Sequence, residues 1–390
     1  MTAKIDDLWN RKYKNIWIYG AGRIGKKLLK DFDFFNISIR GVVISNYDGT
    51  RIPNTPVYEL ARVTTSSEET LFIITSSPVF HSEIIDHLKK YHFEHYIIWD
   101  SRSLCELWRH IDYRFVDRRA QNNKCCFILA GYKEFLWKNV FMRFKQFIPK
   151  DVDVCVISSG IYSDKLEKIA RENGWSYLST AINSVTLAQN VAFSIYENYE
   201  WVYKADEDIF ITDGAFEKLF ANYQNIIAVS NYEPGLVAPL IPVNGFGYRK
   251  ILDKIGKVDQ FERRFGRAMI GGNPDSEIEK NPEAAVFMWR ECPQLDLLNK
   301  MLEKEEQMDL CSVRFSIGFI LIKHSVWEAM QGFTVSGNTD MGTDEEELCA
   351  YCINASRAIM VSNNTVVGHF SFGGQTLRMK EFYSANLDWF

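Results

Sequence analysis

Two aspartates that follow an apolar segment are the residues of this 390-residue chain best suited to chemistry. Residues 201–204 are predicted to form a strand, and Asp206, Glu207 and Asp208 come at its end. Alternate residues of an extended chain point to the same side, so Asp206 and Asp208 can face one ligand. Mg²⁺ is commonly held by one or two carboxylates together with substrate phosphates. The pattern predicts a metal–phosphate site, although the same acids could instead cap backbone N–H groups in a turn.

A glycine-rich turn near the N-terminus is the second candidate. Gly20, Gly22 and Gly25 have the spacing of a dinucleotide-binding turn and lie between a predicted strand and a predicted helix. Glycine there lets the backbone approach a pyrophosphate, whose charge the helix N-terminus favours. The second strand ends at Asn46 without the Asp or Glu that binds a ribose. Nucleotide binding at the three glycines, and simple tight packing of strand against helix, therefore remain open alternatives.

These residues are positioned by two series of alternating strands and helices, which predict an α/β protein. Residues 1–116 form a small parallel-sheet domain, residues 117–124 a polar linker, and residues 125–390 a second domain. Within the second domain, residues 231–290 are rich in Gly and Pro and are predicted to form an irregular binding wall or lid. A strand is predicted at 226–229, and a helix at 344–353 begins with a run of acids.

Composition excludes several classes of function. The net charge of -5 and pI near 5.9 argue against broad binding to nucleic acid. The N-terminus has no secretory signal pattern, and no apolar run reaches the length of a membrane helix. Eight cysteines, mostly in apolar segments, do not suggest a disulfide framework. A cytoplasmic protein without a transmembrane segment is predicted; peripheral contact with a membrane, at its inner face, stays open.

Several motifs follow one another after residue 125: Val154-Cys155-Val156-Ile157-Ser158-Ser159, the helix with Asn190, Asp206-x-Asp208, Phe315-Ser316-Ile317-Gly318-Phe319, the segment from Met341 to Leu348, and His369-Phe370. Their order resembles that of the GT-A glycosyltransferases, most closely those of the family 2 type. The N-terminal series separately resembles the small Rossmann-like domains fused to bacterial sugar-processing enzymes, in which a segment such as Pro56-Val57 follows. Asn46 departs from the Asp common at that strand end, so a docking or regulatory domain is an alternative interpretation.

The resemblance implies roles for particular residues. Asp206, Asp208 and His369 would hold the divalent metal, and the imidazole favours Mn²⁺ over Mg²⁺. The nucleotide-sugar donor would bind at Ser158, Ser159, Gly160, Asn190 and Asp206.

The acceptor base is implied at the start of the helix at 344–353. Aligned on Leu348 the base is Glu345, which we favour, and aligned on Gly342 it is Asp344. Thr343 and Glu346 can cap this helix while a neighbouring carboxylate takes a proton.

The resulting hypothesis is a metal-dependent glycosyltransferase that moves a sugar from a nucleoside diphosphate, preferably UDP, to a glycan or lipid-linked acceptor. Inversion at the anomeric carbon and a place in surface polysaccharide synthesis follow from the resemblance. Two alternatives stay open: an NAD(P)-dependent oxidoreductase that uses the glycine turn, and a non-catalytic protein that binds nucleotide sugars or glycans. The sequence does not indicate the oligomeric state.

Overall fold

The computed structural model describes residues 3–46, 49–271, 276–305, 308–335 and 342–390. The chain divides into two compact units. The first comprises Met1–Asp112, Gln189–Glu197 and Trp327–Asp340, and the second comprises Tyr113–Ala188, Asn198–Val326 and Met341–Phe390. Among the described residues, none of the helices has the length and apolar character needed to span a bilayer.

The first unit contains a parallel sheet with strand order β3-β2-β1-β4-β5. All five residues of β1 and of β4 are buried, because helices cover the faces of such a sheet. Trp17, Tyr19, Phe72 and Ile74 belong to its core. The strands are β1 (Asn15–Tyr19), β2 (Gly41–Ile44), β3 (Val57–Glu59), β4 (Thr70–Ile74) and β5 (Tyr96–Ile98); the helices are α1 (Asp6–Trp9), α2 (Arg23–Phe34), α3 (His81–Lys90) and α4 (Ser101–Trp108).

The second unit is built on a larger mixed sheet, to which a short two-stranded pairing of β11 with β16 is added. The strands are β6 (Tyr113–Val116), β7 (Lys124–Leu129), β8 (Val152–Ser159), β9 (Ser176–Thr180), β10 (Trp201–Asp206), β11 (Ile209–Phe210), β12 (Pro234–Leu240), β13 (Met308–Leu310), β14 (Phe319–Lys323), β15 (Ala358–Val366) and β16 (Gly368–His369). The helices that begin in this unit are α5 (Trp137–Phe147), α6 (Asp164–Glu172), α7 (Val185–Ile195), α8 (Ala215–Val229), α9 (Gly247–Lys254), α10 (Val258–Phe265), α11 (Glu277–Lys280), α12 (Pro282–Glu291), α13 (Leu295–Leu302), α14 (His324–Met330), α15 (Thr343–Asn354) and α16 (Thr376–Ala385).

Strand directions in this sheet bring many strand ends to one edge. The strand order is β13-β15-β12-β14-β10-β7-β8-β9-β6 within the described residues. Strands β7, β8, β9 and β10 run parallel, and β14 runs antiparallel to β10. Strand β12 is antiparallel to β14 and parallel to β15, so it runs in the direction of β10. The carboxyl ends of β7, β8, β10, β12 and β15 therefore share an edge with the residues that precede β14.

Two sequence predictions about elements are wrong. Residues 226–229 were predicted as a strand but form the last turn of α8, because Tyr223 and Ile226 bury one face of a helix that packs on the sheet. Residues 231–290 were predicted as irregular, yet they contain β12 and helices α9 to α12. Pro282 occupies the first turn of α12, where proline is tolerated, and Asn281 caps it by accepting from Glu283 N.

The division between the units also differs from the predicted boundary after residue 116. Strand β6 pairs antiparallel with β9 and so belongs to the second unit. The predicted linker, residues 117–124, packs there as well. Arg118 forms an ion pair with Glu167, and the buried Asp153 carboxylate accepts hydrogen bonds from Ala120 N and Asn122 N. The polar residues that predicted a linker at 117–124 are therefore hydrogen-bonded to the second unit.

Candidate active site

Asp206 ends β10 at the shared edge of the second sheet. Its backbone N–H donates to Gly318 O at 2.9 Å, and its carboxylate lies 2.7 Å from Lys204 Nζ. The Asp206 side chain is 35% exposed, whereas that of Lys204 is 5% exposed. Burial and the charge of Asp208 raise the pKa of Asp206, against the opposing effect of Lys204. A side-chain carbon at Gly318 would lie 2.9 Å from Ile209 Cδ1 and 3.8 Å from Asp206 Oδ2, so glycine keeps the approach to Asp206 open.

Glu207, between the two aspartates, has a structural role. Its carboxylate is buried and accepts from Gly131 N at 3.0 Å, Tyr132 N at 2.9 Å and Trp137 Nε1 at 2.6 Å. A buried carboxylate with three N–H donors is well satisfied and holds its donors in place. Glu207 therefore fixes the loop after β7 against the end of β10.

Asp208 is buried and lies beside the ammonium of Lys133 and the imidazole of His369. Its Oδ2 is 2.5 Å from Lys133 Nζ and 3.4 Å from His369 Nε2. Burial alone would raise the pKa of Asp208, but the charges of Lys133 and His369 hold it far below its usual range. Burial lowers the pKa of Lys133 and of His369, but the Asp208 carboxylate more than offsets this, so both pKa values lie above their usual range. The structure thus brings the predicted Asp208 and His369 together, and adds Lys133.

The short pairing of β11 with β16 places His369 at this position. Ile209 is paired with His369, and Phe370 N donates to Asp208 O at 3.0 Å. His369 Nδ1 lies 2.9 Å from Val243 O, which can only accept, so Nδ1 carries a proton. Nε2 is therefore the ring atom directed at Asp208.

The donor set fits a divalent cation. A metal-binding histidine commonly donates its other ring N–H to a carbonyl, as His369 does to Val243. Carboxylates with one imidazole suit Mn²⁺ and related ions. Among the described residues, however, no three His, Cys, Asp or Glu side chains are already gathered around one point. Lys204 and Lys133 engage Asp206 and Asp208 instead.

Two acids at the start of α15 have different cationic partners: Asp344 lies near Lys204, and Glu345 is bonded to Arg314. Lys204 Nζ lies 3.9 Å from Asp344 Oδ2 and donates to Ile317 O at 3.1 Å. Glu345 Oε1 accepts from Arg314 Nε at 2.5 Å. Burial and the charge of Asp344 raise the pKa of Glu345, whereas Arg314 lowers it. Asp344 is thus linked to Asp206 through Lys204. Glu345 instead pairs with Arg314, which lies in the segment before β14.

The predicted donor-binding residues at the end of β8 form a compact loop. Ser158 is fully buried, and its hydroxyl lies 2.6 Å from Ile161 O and 2.7 Å from Tyr177 OH. Ser159 Oγ accepts from Ser184 N at 2.6 Å. Gly160 has φ +71°, and a side-chain carbon there would lie 2.3 Å from Asn183 Cβ. These side chains stabilise the loop, and its backbone adds two more bonds, from Gly160 N to Thr180 O at 3.0 Å and from Tyr132 OH to Ser159 O at 2.8 Å.

Tyr132 extends this edge with an exposed aromatic ring. The residue is 63% exposed, and its hydroxyl lies 2.8 Å from both Ser159 O and Asn183 Oδ1. Ile161, on the loop after β8, is 44% exposed. Tyr132 therefore presents a flat apolar face beside the β8 loop, held by its hydroxyl.

Asn190 is not among the residues gathered at this edge. It is fully buried in the part of α7 that belongs to the first unit. Its amide accepts from Trp327 Nε1 at 2.9 Å and Phe333 N at 2.8 Å, and donates to Phe333 O at 2.8 Å. This differs from the predicted donor-binding role, because these bonds hold the segment that follows α14.

The glycine turn of the first unit is explained by packing at two of its three positions. Gly20 has φ +123°, where other residues are strained. A side-chain carbon at Gly25 would lie 2.1 Å from Gly20 O, so α2 packs directly on the turn. A side-chain carbon at Gly22 would have no neighbouring atom within 4 Å, so packing does not require glycine there.

Four residues of the site were missed from the sequence: Tyr132, Lys133, Lys204 and Arg314. Lys204 offered a signal, because a lysine two residues before Asp206 on a buried strand requires a nearby acid. The other three lie in loops whose partners are distant in the chain, and no local pattern identifies them.

Comparisons with known proteins found no matching family model and no matching curated protein. Among solved structures, the chain is similar to a mannosyltransferase from Pyrobaculum calidifontis in complex with GDP-Man and Mn²⁺, with 12% identity, coverage of 76% of this chain and 70% of that chain, and a TM-score of 0.39. It is also similar to glucosyl-3-phosphoglycerate synthase from Mycobacterium tuberculosis in complex with Mn²⁺, UDP and glucosyl-3-phosphoglycerate, with 12% identity, coverage of 74% and 83%, and a TM-score of 0.37. A third is S. aureus TarS 1-349 in complex with UDP, with 11% identity, coverage of 68% and 65%, and a TM-score of 0.38. Such low identities and TM-scores leave the function to be inferred from the chain's own site.

Proposed function

We propose that this protein is a metal-dependent glycosyltransferase of the GT-A type. It would transfer a sugar from a nucleoside diphosphate, preferably UDP, to a hydroxyl of a glycan or lipid-linked acceptor. One observation carries the proposal: two groups of acids and one histidine, from three distant parts of the chain, lie at one sheet edge and are joined by close side-chain contacts. Asp206 and Asp344 share Lys204, and Asp208 lies beside His369.

The donor is assigned to the ends of β7, β8 and β10. The Tyr132 ring offers a face on which a nucleobase can stack, and the backbone of Ser159 and Gly160 lies beside it. Asp206, Asp208 and His369 would hold the divalent metal. Such a metal neutralises the charge that develops on the leaving diphosphate.

The acceptor is assigned to the side of α15. The acceptor oxygen forms a bond to the anomeric carbon while the bond from that carbon to the diphosphate oxygen breaks, which inverts the configuration. Glu345 takes the proton from the acceptor hydroxyl. A raised pKa suits a carboxylate to this task. The Glu345 side chain is 17% exposed, against 7% for Asp344. The cytoplasmic location and a place in surface polysaccharide synthesis rest on the resemblance of the motifs alone.

Calorimetric titration of UDP and GDP, with and without Mn²⁺, tests the donor site. The wild type is compared with Asp208→Asn and with Asp213→Asn, a control that changes an exposed carboxylate nearby on the same segment. We expect metal-dependent binding that is lost in Asp208→Asn and kept in Asp213→Asn. Nucleotide binding that ignores Mn²⁺ and survives Asp208→Asn would contradict the proposal and redirect attention to the glycine turn and an oxidoreductase.

The base is tested separately once a donor is known. Glu345→Gln should lower turnover far more than it weakens donor binding, because the amide cannot take a proton. Asp344→Asn is the comparison variant. If Asp344→Asn loses turnover and Glu345→Gln does not, Asp344 is the base.

A further inference from the structure

Lys133 makes a contact that the proposed function does not use. Its Nζ lies 2.5 Å from Asp208 Oδ2 and 3.4 Å from Ser371 O. The Lys133 side chain is 24% exposed, whereas that of Asp208 is 3% exposed. The ammonium is therefore reachable from solvent on one side, while the carboxylate that it covers is not.

The backbone that carries Lys133 is held firmly, although the side chain itself has a flexible four-carbon stem. The preceding residues Gly131 and Tyr132 donate their N–H groups to the buried carboxylate of Glu207. Glu207 in turn follows Asp206 at the end of β10. The loop thus brings the ammonium to Asp208 on a stem whose rotatable bonds allow other positions.

A metal ion and Lys133 compete for the same oxygen of Asp208. Oδ2 faces Lys133 Nζ, and it also faces His369 Nε2, the ring atom that remains for a metal. An ammonium and a divalent cation repel each other at contact distance, so binding of the metal to Oδ2 requires Lys133 to leave. A displaced ammonium beside a metal site is well placed to bind the second anion that arrives there, a phosphate.

On the basis of the proposed function, we propose that Lys133 couples metal binding to nucleotide binding. Lys133 covers Asp208 in the free protein, and it moves to the donor diphosphate when the cation takes Asp208. Free metal then binds weakly, because it must break the Lys133–Asp208 pair without compensation. The diphosphate supplies that compensation, so each ligand strengthens binding of the other by the same factor.

Calorimetry of Mn²⁺ alone is the first test, since it needs neither a nucleotide nor turnover. Lys133→Met should bind Mn²⁺ more tightly than the wild type, by roughly 5- to 150-fold, the usual range of a coupling between two sites. Lys133→Gln is the second variant, because its uncharged amide can still donate to Asp208 if the methionine variant does not fold. Lys165→Met is the matched control, since it breaks an exposed lysine–carboxylate pair with Glu134 and should leave Mn²⁺ binding unchanged.

Calorimetry of UDP at saturating Mn²⁺ is the second test. Lys133→Met and Lys133→Gln should bind UDP more weakly, so that UDP strengthens Mn²⁺ binding by a smaller factor than in the wild type, the attraction between the metal and the diphosphate being the part that remains. Lys133→Arg, which keeps the charge, should retain the coupling. Unchanged Mn²⁺ affinity in both uncharged variants overturns the inference, as does coupling equal to that of the wild type. If the wild type binds no nucleotide in the presence of Mn²⁺, the proposed function and the coupling both fail. Tighter Mn²⁺ binding by Lys133→Met would even then show that Lys133 competes with the metal for Asp208.

Discussion

Lys204→Met removes the buried ammonium that joins the two groups of acids in the candidate site. The Lys204 side chain is 5% exposed and lies between Asp206 at 2.7 Å and Asp344 at 3.9 Å. It also donates to Ile317 O at 3.1 Å. Methionine has a similar length and no charge, so the substitution removes the ammonium that Asp206 and Asp344 share.

The magnitude follows from burial and exposure. Removing one partner of a buried ion pair costs about 3–5 kcal/mol, because the other charge stays buried and unpaired. Asp206 is 35% exposed and Asp344 is at the longer distance, so solvent and separation reduce the effect towards about 3 kcal/mol.

Lowering the pH should reduce this loss of stability. The pKa of Asp206 is already raised, and without Lys204 it rises further. The unpaired carboxylate is therefore protonated, and its cost relieved, as the pH falls through that value.

Urea unfolding at neutral pH and at mildly acidic pH measures both effects. Lys323→Met is the matched control, since Lys323 belongs to the neighbouring strand β14 and pairs with the more exposed Glu200 at 3.2 Å. It should cost less than about 1 kcal/mol at either pH. A Lys204→Met protein as stable as the Lys323→Met protein would refute the reasoning, and so would a loss of stability that grows as the pH is lowered.

Two further predictions concern neighbouring residues. Glu207→Gln should lower the free energy of unfolding by about 2–3 kcal/mol, because hydrogen bonds from three N–H donors to a buried carboxylate are lost or weakened. Thermal unfolding measures this loss, with the exposed Glu217→Gln as the control, and equal midpoints for the two variants would contradict the prediction. Arg314→Met removes a cation that lowers the pKa of Glu345, so that pKa should rise and the acidic limb of the kcat/KM profile should move to higher pH; a shift to lower pH would show that Glu345 is not the base.

Local patterns in the sequence predicted most of the elements that position the site. Alternating apolar strands and amphipathic helices indicated both α/β series, and β10 followed by Asp206 and Asp208 was correctly placed. Those predictions hold because hydrophobic periodicity and strand ends depend on neighbours in the chain. The strand predicted at 226–229 was wrong for the converse reason. Its β-branched residues favour a strand locally, but packing of α8 against the sheet decides the conformation.

The sequence by itself determined which acids lie at the end of β10 and which begin α15. It therefore determined which carboxylates are available for metal binding and proton transfer. The tertiary structure alone decided how they are partnered. Asp208 meets Lys133 and His369, and Asp344 meets the Lys204–Asp206 pair, through contacts between residues far apart in the chain. Such contacts depend on the order and direction of strands in the sheet, which periodicity does not encode. They also depend on the need of each buried charge for a partner, which can be assigned only when the neighbours of that charge are known.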